Sequence, residues 1–215
     1  MLEIIPFTLG PVQTNAYLIA DPDFHEGAVI DPAWDGHVIL AEAKRRNWRI
    51  AHLWYTHAHF DHIGGAGAIA DGLNPLPLVA LHPADHVLWR AEGGAPLFGF
   101  KIDPGPEPTI DLVQGQILRL GIVEIEVRYT PGHTPGHCIF YAASAGVCFC
   151  GDLIFHDSVG RTDLPGSDPD TLVNSITTQV FSLPEATRLL PGHGPETTVG
   201  REKKFNPFVG NSPSA

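Results

Sequence analysis

From Thr56 to His62 the chain reads Thr-His-Ala-His-Phe-Asp-His, and the largely apolar run Ile50–Tyr55 delivers the backbone straight into it. Three imidazoles and one carboxylate therefore fall within six residues. Imidazole with carboxylate suits zinc, iron or manganese, and one ion could not use all four groups from so short a stretch without strain. The spacing points to two ions side by side, each with half of its ligands already supplied.

The surrounding pattern predicts a layered α/β fold. Short apolar runs at Leu2–Leu9, Ala16–Ile19 and Ala28–Ile30 are separated by Gly, Pro and Asp and read as strands. Asp35 is placed to cap a helix running to Asn47. Ile63–Ala70 reads as a helix, Leu78–Leu81 as a strand, and His82-Pro83 as the start of a helix reaching Glu92. The Gly- and Pro-rich stretch 93–108 reads as a loop, because strand patterns resume at 116–120, 123–129, 138–141 and 147–150. Asp168-Pro169 opens a helix whose Leu172, Ile176 and Val180 share a face. Strand clusters with interspersed helices, in two halves and without a linker, predict one domain over residues 1–215.

Bulk properties exclude several classes. The formal net charge of −11 disfavours nucleic acid as a partner, since phosphate binding needs Lys and Arg. Three cysteines, Cys138, Cys148 and Cys150, make no disulfide framework and sit in apolar strand patterns. No apolar run reaches the ~18 residues of a membrane span, and the N-terminus MLEIIPFTLG has no basic region, so a cytoplasmic location is expected.

Isolated histidines are usually structural, but here the same context recurs. His133 lies in Thr130-Pro131-Gly132-His133, Asp152 in Cys150-Gly151-Asp152, and His193 in Pro191-Gly192-His193-Gly194. Each follows a predicted strand at a glycine-rich turn, where α/β folds collect reactive groups.

With these motifs, and with Thr14-Asn15-Ala16-Tyr17 and Asn206-Pro207-Phe208 near the ends, the chain resembles the metallo-β-lactamase-fold hydrolases, and among them the small glyoxalase II-like proteins. The resemblance implies a four-layer αββα sandwich with metals in a groove at one edge of two sheets. It implies His57, His59 and His133 as ligands of a first metal and Asp61, His62 and His193 as ligands of a second, with Asp152 bridging. The cofactors expected are two divalent ions, zinc foremost, or iron or manganese. Asp152, rather than Cys or Ser, disfavours the β-lactamases of that fold, and His59, rather than Glu, disfavours its flavo-diiron proteins. His137, four residues past His133, matches no ligand position and reads as structural.

The implied chemistry is hydrolysis of a small-molecule thioester such as S-lactoylglutathione. Two metals ~3.5–4 Å apart share a water and bring its pKa near neutrality, and Asp61 and Asp152 fix the ions and accept the proton. The alternative is a mononuclear Fe(II) dioxygenase acting on glutathione persulfide through His57, His133 and Asp152. Substrate contacts are expected from Arg161, in Gly160-Arg161-Thr162-Asp163, and from Lys203 and Lys204. Arg161 reads equally as a partner of Asp163 that pins its loop. Leu97, Phe98 and Phe100 are expected to form part of the substrate wall.

Overall fold

Alternate residues of the strand Thr14–Asp21 enter two different cores: Ala16, Leu18 and Ala20 one, Tyr17 and Ile19 the other. Successive side chains of a strand point to opposite faces, so this strand is covered on both sides. That arrangement recurs across two sheets and makes the molecule four layers thick, as the sequence resemblance implied. The computed structural model describes residues 1–210.

The first sheet orders β1 (Glu3–Leu9), β2 (Thr14–Asp21), β3 (Glu26–Ile30), β4 (Arg49–Trp54), β5 (Leu78–Leu81) and β6 (Ile110–Asp111) as numbered. The second contains β7 (Ile117–Leu120), β8 (Val123–Tyr129), β9 (Cys138–Ala142), β10 (Val147–Gly151), β13 (Arg188–Pro191) and β14 (Thr197–Thr198). A hairpin of β11 (Ile154–Phe155) and β12 (Ser158–Val159) stands apart from both. Tyr17 meets Phe149 edge-on at 5.3 Å and Trp54 meets Phe140 at 6.1 Å, so aromatic residues join the inner faces of the sheets. Pro6 is tolerated within β1 because β1 is an edge strand.

Outer faces are closed by helices. Ile39, Leu40 and Ala43 of α1 (Gly36–Arg45) and Ile69 of α3 (Ala66–Asp71) cover the first sheet. Leu172 of α5 (Pro169–Ser175) and the wider π-turn Ile176–Val180 cover the second, where Cys148 and Cys150 are buried core residues with free thiols. The expected shared face of Leu172, Ile176 and Val180 is buried. The remaining helices are α2 (Phe60–Ile63), α4 (His86–Arg90) and α6 (Val199–Phe205). Among the described residues, no helix is long and apolar enough to cross a membrane.

Three local expectations need correction. The helix expected over Ile63–Ala70 is broken into α2 and α3, because the backbone of Gly65 presses on the loop after β3: a Cβ there would stand 2.4 Å from the Pro32 carbonyl oxygen. Asp35 precedes α1 but makes no capping hydrogen bond, being held in left-handed conformation at φ 48°. The helix expected from His82 to Glu92 is a 3₁₀ turn, Pro83–Asp85, followed by α4.

Asn206 anchors the C-terminal segment. Its side-chain amide donates to the Ser158 carbonyl at 3.0 Å and to Glu202 Oε2 at 2.9 Å, while its Oδ1 accepts from the Phe208 amide at 3.0 Å. Glu202, fully buried, also accepts from the Asp157 amide and the Thr197 hydroxyl. Replacing Asn206 by Ala leaves buried acceptors without their donor. The expected cost is about 1–3 kcal/mol, read as a lower urea midpoint with unchanged denaturant slope.

Candidate metal centre

Parallel pairing aligns β3 with β4 and β10 with β13, so the C-terminal ends of these strands gather at one edge of the sandwich. Asp31 follows β3, His57 follows β4 by two residues, Asp152 follows β10 and His193 follows β13. The loop between β8 and β9 brings in His133. Across the edge, Tyr17 Oη donates to the Pro191 carbonyl at 2.7 Å, and the Asn15 amide donates to the carbonyls of Pro191 and Gly194 at 3.1 and 2.8 Å. These bonds fasten the His193 loop to the first sheet and give the Thr14-Asn15-Ala16-Tyr17 motif its structural purpose.

All seven residues expected at the site come together. His57, His59 and His133 form one group whose ring nitrogens could hold an ion, and Asp61, His62 and His193 form a second. Asp152 spans them: its Oδ2 lies 3.6 Å from His133 Nε2 and 3.5 Å from His193 Nε2, and its Oδ1 lies 3.3 Å from His62 Nε2. His57 Nε2, His62 Nε2 and Asp152 Oδ1 are buried and without a hydrogen-bond partner among the described residues. Burying such groups unpaired is costly. Their convergence, with acceptor-type nitrogen and oxygen donors throughout, fits divalent metal.

The outer hydrogen bonds fix which nitrogen faces the centre. Thr56 Oγ1 donates to Asp31 Oδ2 at 2.7 Å, so its lone pairs accept from His57 Nδ1–H at 3.0 Å. The tautomer this selects leaves His57 Nε2 bare. His62 Nδ1 donates to Asp31 Oδ2 at 3.0 Å, and His133 Nδ1 donates to the Arg161 carbonyl at 2.8 Å, with the same consequence for their Nε2 atoms. His59 differs, presenting Nδ1 at 2.9 Å from His133 Nε2. Asp61 Oδ2 is fixed by the Thr14 hydroxyl at 2.9 Å.

Two buried carboxylates that support this array carry no signal in the sequence. Asp31 also accepts from the Thr56 amide at 2.7 Å, so both of its oxygens are engaged by Thr56 and His62. It sits near His57 and His62 as a third acid of ligand type, but these bonds make it an orienting group. Asp85 accepts from the Ala58 amide at 3.1 Å, the Thr134 hydroxyl at 2.7 Å and the Gly136 amide at 2.6 Å, joining the His57–His59 loop to the His133 loop. Asp31 precedes Pro32 and Asp85 lies two residues after Pro83, each in a short Asp/His-containing turn, which sequence reasoning reads as punctuation. His137 pairs its Nδ1 with Thr130 Oγ1 at 2.8 Å and belongs to none of the metal-capable groups, as expected.

Electrostatics divide the two groups. Burial first, then the charges of neighbouring imidazoles, push His57 well below the usual histidine range, and His59 to about 3. Burial likewise lowers His133 against the pull of Asp152. Burial also opposes charge on His62, but Asp152 and Asp61 outweigh it and hold this imidazole well above the usual range. His193 is raised through Asp61 and Asp152, again against burial. Burial favours the neutral acids, yet the neighbouring imidazolium charges prevail, setting Asp61 at about 2 and Asp152 well below the carboxylate range.

A cavity of about 230 Å³ opens over the cluster, walled by Val12, Phe98, Phe100 and Leu164, with Arg161 at its side. The Arg161 guanidinium is exposed and paired with both oxygens of Asp163, at 2.7 and 2.8 Å. Lys203 and Lys204 lie on α6 and are not among the residues lining this cavity. Gly93, at φ 62°, packs so closely on the ligand loop that a Cβ would stand 2.3 Å from the Phe60 nitrogen and 2.6 Å from the Ala58 oxygen.

The sequence model of the metallo-beta-lactamase superfamily matches residues 9–193. The chain belongs to the metallo-β-lactamase superfamily. Among its superfamily relatives, hydroxyacylglutathione hydrolase GloC of Haemophilus influenzae is 33% identical over 97% of both chains. The crystal structure of BLEG-1 B3 metallo-beta-lactamase superposes with a TM-score of 0.88 at 36% identity, covering 97% of this chain and 99% of that one. That of TTHA1623 in a di-iron-bound form does so at 0.86 and 39%, covering 95% and 100%. A superfamily metallo-hydrolase with a His/Asp metal-binding cluster is thus in hand.

Two outcomes follow. Asp31→Asn converts one of the acceptor oxygens into a donor facing Thr56 or His62, and metal affinity should fall about 10–100-fold in competition with a chelator. Metal uptake by Asp61, His62 and His193 must displace protons held on raised imidazoles, whereas uptake by His57, His59 and His133 meets neutral rings. Affinity at the former group should therefore climb with pH across neutrality with proton release. Calorimetry in buffers of different ionisation enthalpy measures it.

Proposed function

We propose that this superfamily member is a cytoplasmic metal-dependent hydrolase that binds two divalent ions and cleaves a small-molecule thioester such as S-lactoylglutathione. The observation that carries the reading is Asp152, whose carboxylate reaches toward His133 on one side and toward His62 and His193 on the other. In that role His57, His59 and His133 would hold one ion, Asp61, His62 and His193 would hold the other, and Asp152 would be shared between the two groups. Support comes from the hydroxyacylglutathione hydrolase relative and from the di-iron form of a protein 39% identical.

Bound divalent ions supply a Lewis acid and bring the pKa of water near neutrality. The chain's own groups do the rest. Thr14 engages Asp61 Oδ2 and fixes that carboxylate beside His62 and His193. Asp61 and Asp152 remain ionised at any working pH. Val12, Phe98, Phe100 and Leu164 set an apolar wall beside these charged groups. Of the residues lining the cavity, none is a Lys, Tyr or Cys placed as a proton donor. A thiolate leaving group suits such a site, because it departs with little acid assistance.

Metal analysis of the purified protein, combined with S-lactoylglutathione hydrolysis, tests this. Two ions per chain and turnover are expected. Asp152→Ala and His57→Ala should lose metal and drop kcat/KM by more than the ~10–100-fold typical of a supporting residue. Retained hydrolysis with full metal content in either variant would sink the scheme. One iron with oxygen uptake on glutathione persulfide would indicate the dioxygenase chemistry instead, and faster turnover of a β-lactam than of any thioester would move the substrate class.

A further inference from the structure

Next to the cavity over the cluster lies a second of about 310 Å³. The two share His59, Phe98 and Leu164, so they are continuous at the His59 side of the centre. The rest of the second wall comes from Leu88, Ala91, Pro96, Leu97, Pro165 and glycines. No Asp, Glu, Lys or Arg is among its lining residues. Leu97 and Phe98 are 75% and 46% exposed, a concentration of large apolar side chains at the mouth of a polar centre.

We propose that this cavity receives an uncharged apolar arm of the substrate, aliphatic or aromatic, while the scissile carbonyl lies over the His/Asp cluster. The inference rests on the thioester-hydrolase reading and adds its substrate class. Away from His59, a wall without polar side chains recognises by area, and it penalises a charged arm, which would be desolvated there without a partner. Each buried methylene contributes ~0.8 kcal/mol, about three- to four-fold in affinity or kcat/KM. At roughly 30 Å³ for each water-sized group, the space admits about ten, so the gain should stop near eight to ten carbons. Gly93 ties the pocket floor to Ala58 and Phe60, within the ligand loop. An arm seated there therefore registers the carbonyl against the centre as well as adding affinity.

The test uses the full metal-loaded chain and two thioester series. One varies the acyl group from acetyl to decanoyl on a fixed thiol; the other varies the alkyl thiol under a fixed acetyl. One series should rise about three- to four-fold in kcat/KM per methylene and then level off, and that series identifies the arm. Ala91→Phe, which fills the space, and Leu97→Asp, which sets a carboxylate at its mouth, should flatten the slope. Both positions are exposed, so the fold tolerates them. A flat response in both series, in a protein that hydrolyses acetyl thioesters, overturns the inference and leaves the reaction class standing. If no thioester is turned over, the reaction class fails, and calorimetric titration with butyrate through decanoate still reads the pocket. Affinity that climbs with length in the wild type and not in Ala91→Phe supports it; uniform affinity overturns it.

Discussion

One carboxylate sets the geometry on which the centre depends. Asp31 receives the Thr56 amide, the Thr56 hydroxyl and the His62 ring, and through that hydroxyl it dictates the tautomer of His57. Two ligand-type histidines from one short loop are thereby oriented by a residue separated from them by a helix and a strand. The bond to the Thr56 amide also fixes the path of the backbone as it leaves the strand, before the first imidazole is reached. Asp85 repeats the arrangement between the His57–His59 loop and the His133 loop. Buried carboxylates with three hydrogen bonds each are stiff, and the centre is suspended between two of them.

The charge distribution follows from this rigidity. Oriented lone pairs cannot turn away from one another, so the two carboxylates favour protons on His62 and His193. The three rings of the other group are held toward the neutral form by burial, with repulsion between them adding to it. The sheets supply the dry surroundings that make both effects large.

The layered pattern was legible in the strand spacing, and the seven clustered side chains through a family resemblance carried by strand ends that bear glycine or a dense run of histidines. Asp31 and Asp85 were not legible, since a lone aspartate within two residues of a proline is ordinary turn composition and its partners lie far along the chain. Local helix errors have a related cause. Gly64 and Gly65 break the expected helix because the neighbouring loop needs their missing side chains, a tertiary demand invisible to periodicity. Arg161 illustrates a mixed outcome. Its guanidinium pairs with Asp163, while the group that matters to the centre is its main-chain carbonyl, which any residue could have provided.

The seat of Gly93 on Ala58 and Phe60 has a consequence for how such a chain can diversify. The segment that walls the apolar cavity is bolted to the segment that bears the histidines, so lengthening or shortening it would distort the centre itself. Variation in what the molecule accepts is thereby channelled into outward side chains such as Leu97 and Ala91, which can be exchanged without disturbing the backbone beneath them. Selectivity and reactivity are coupled in the main chain but separable in the side chains.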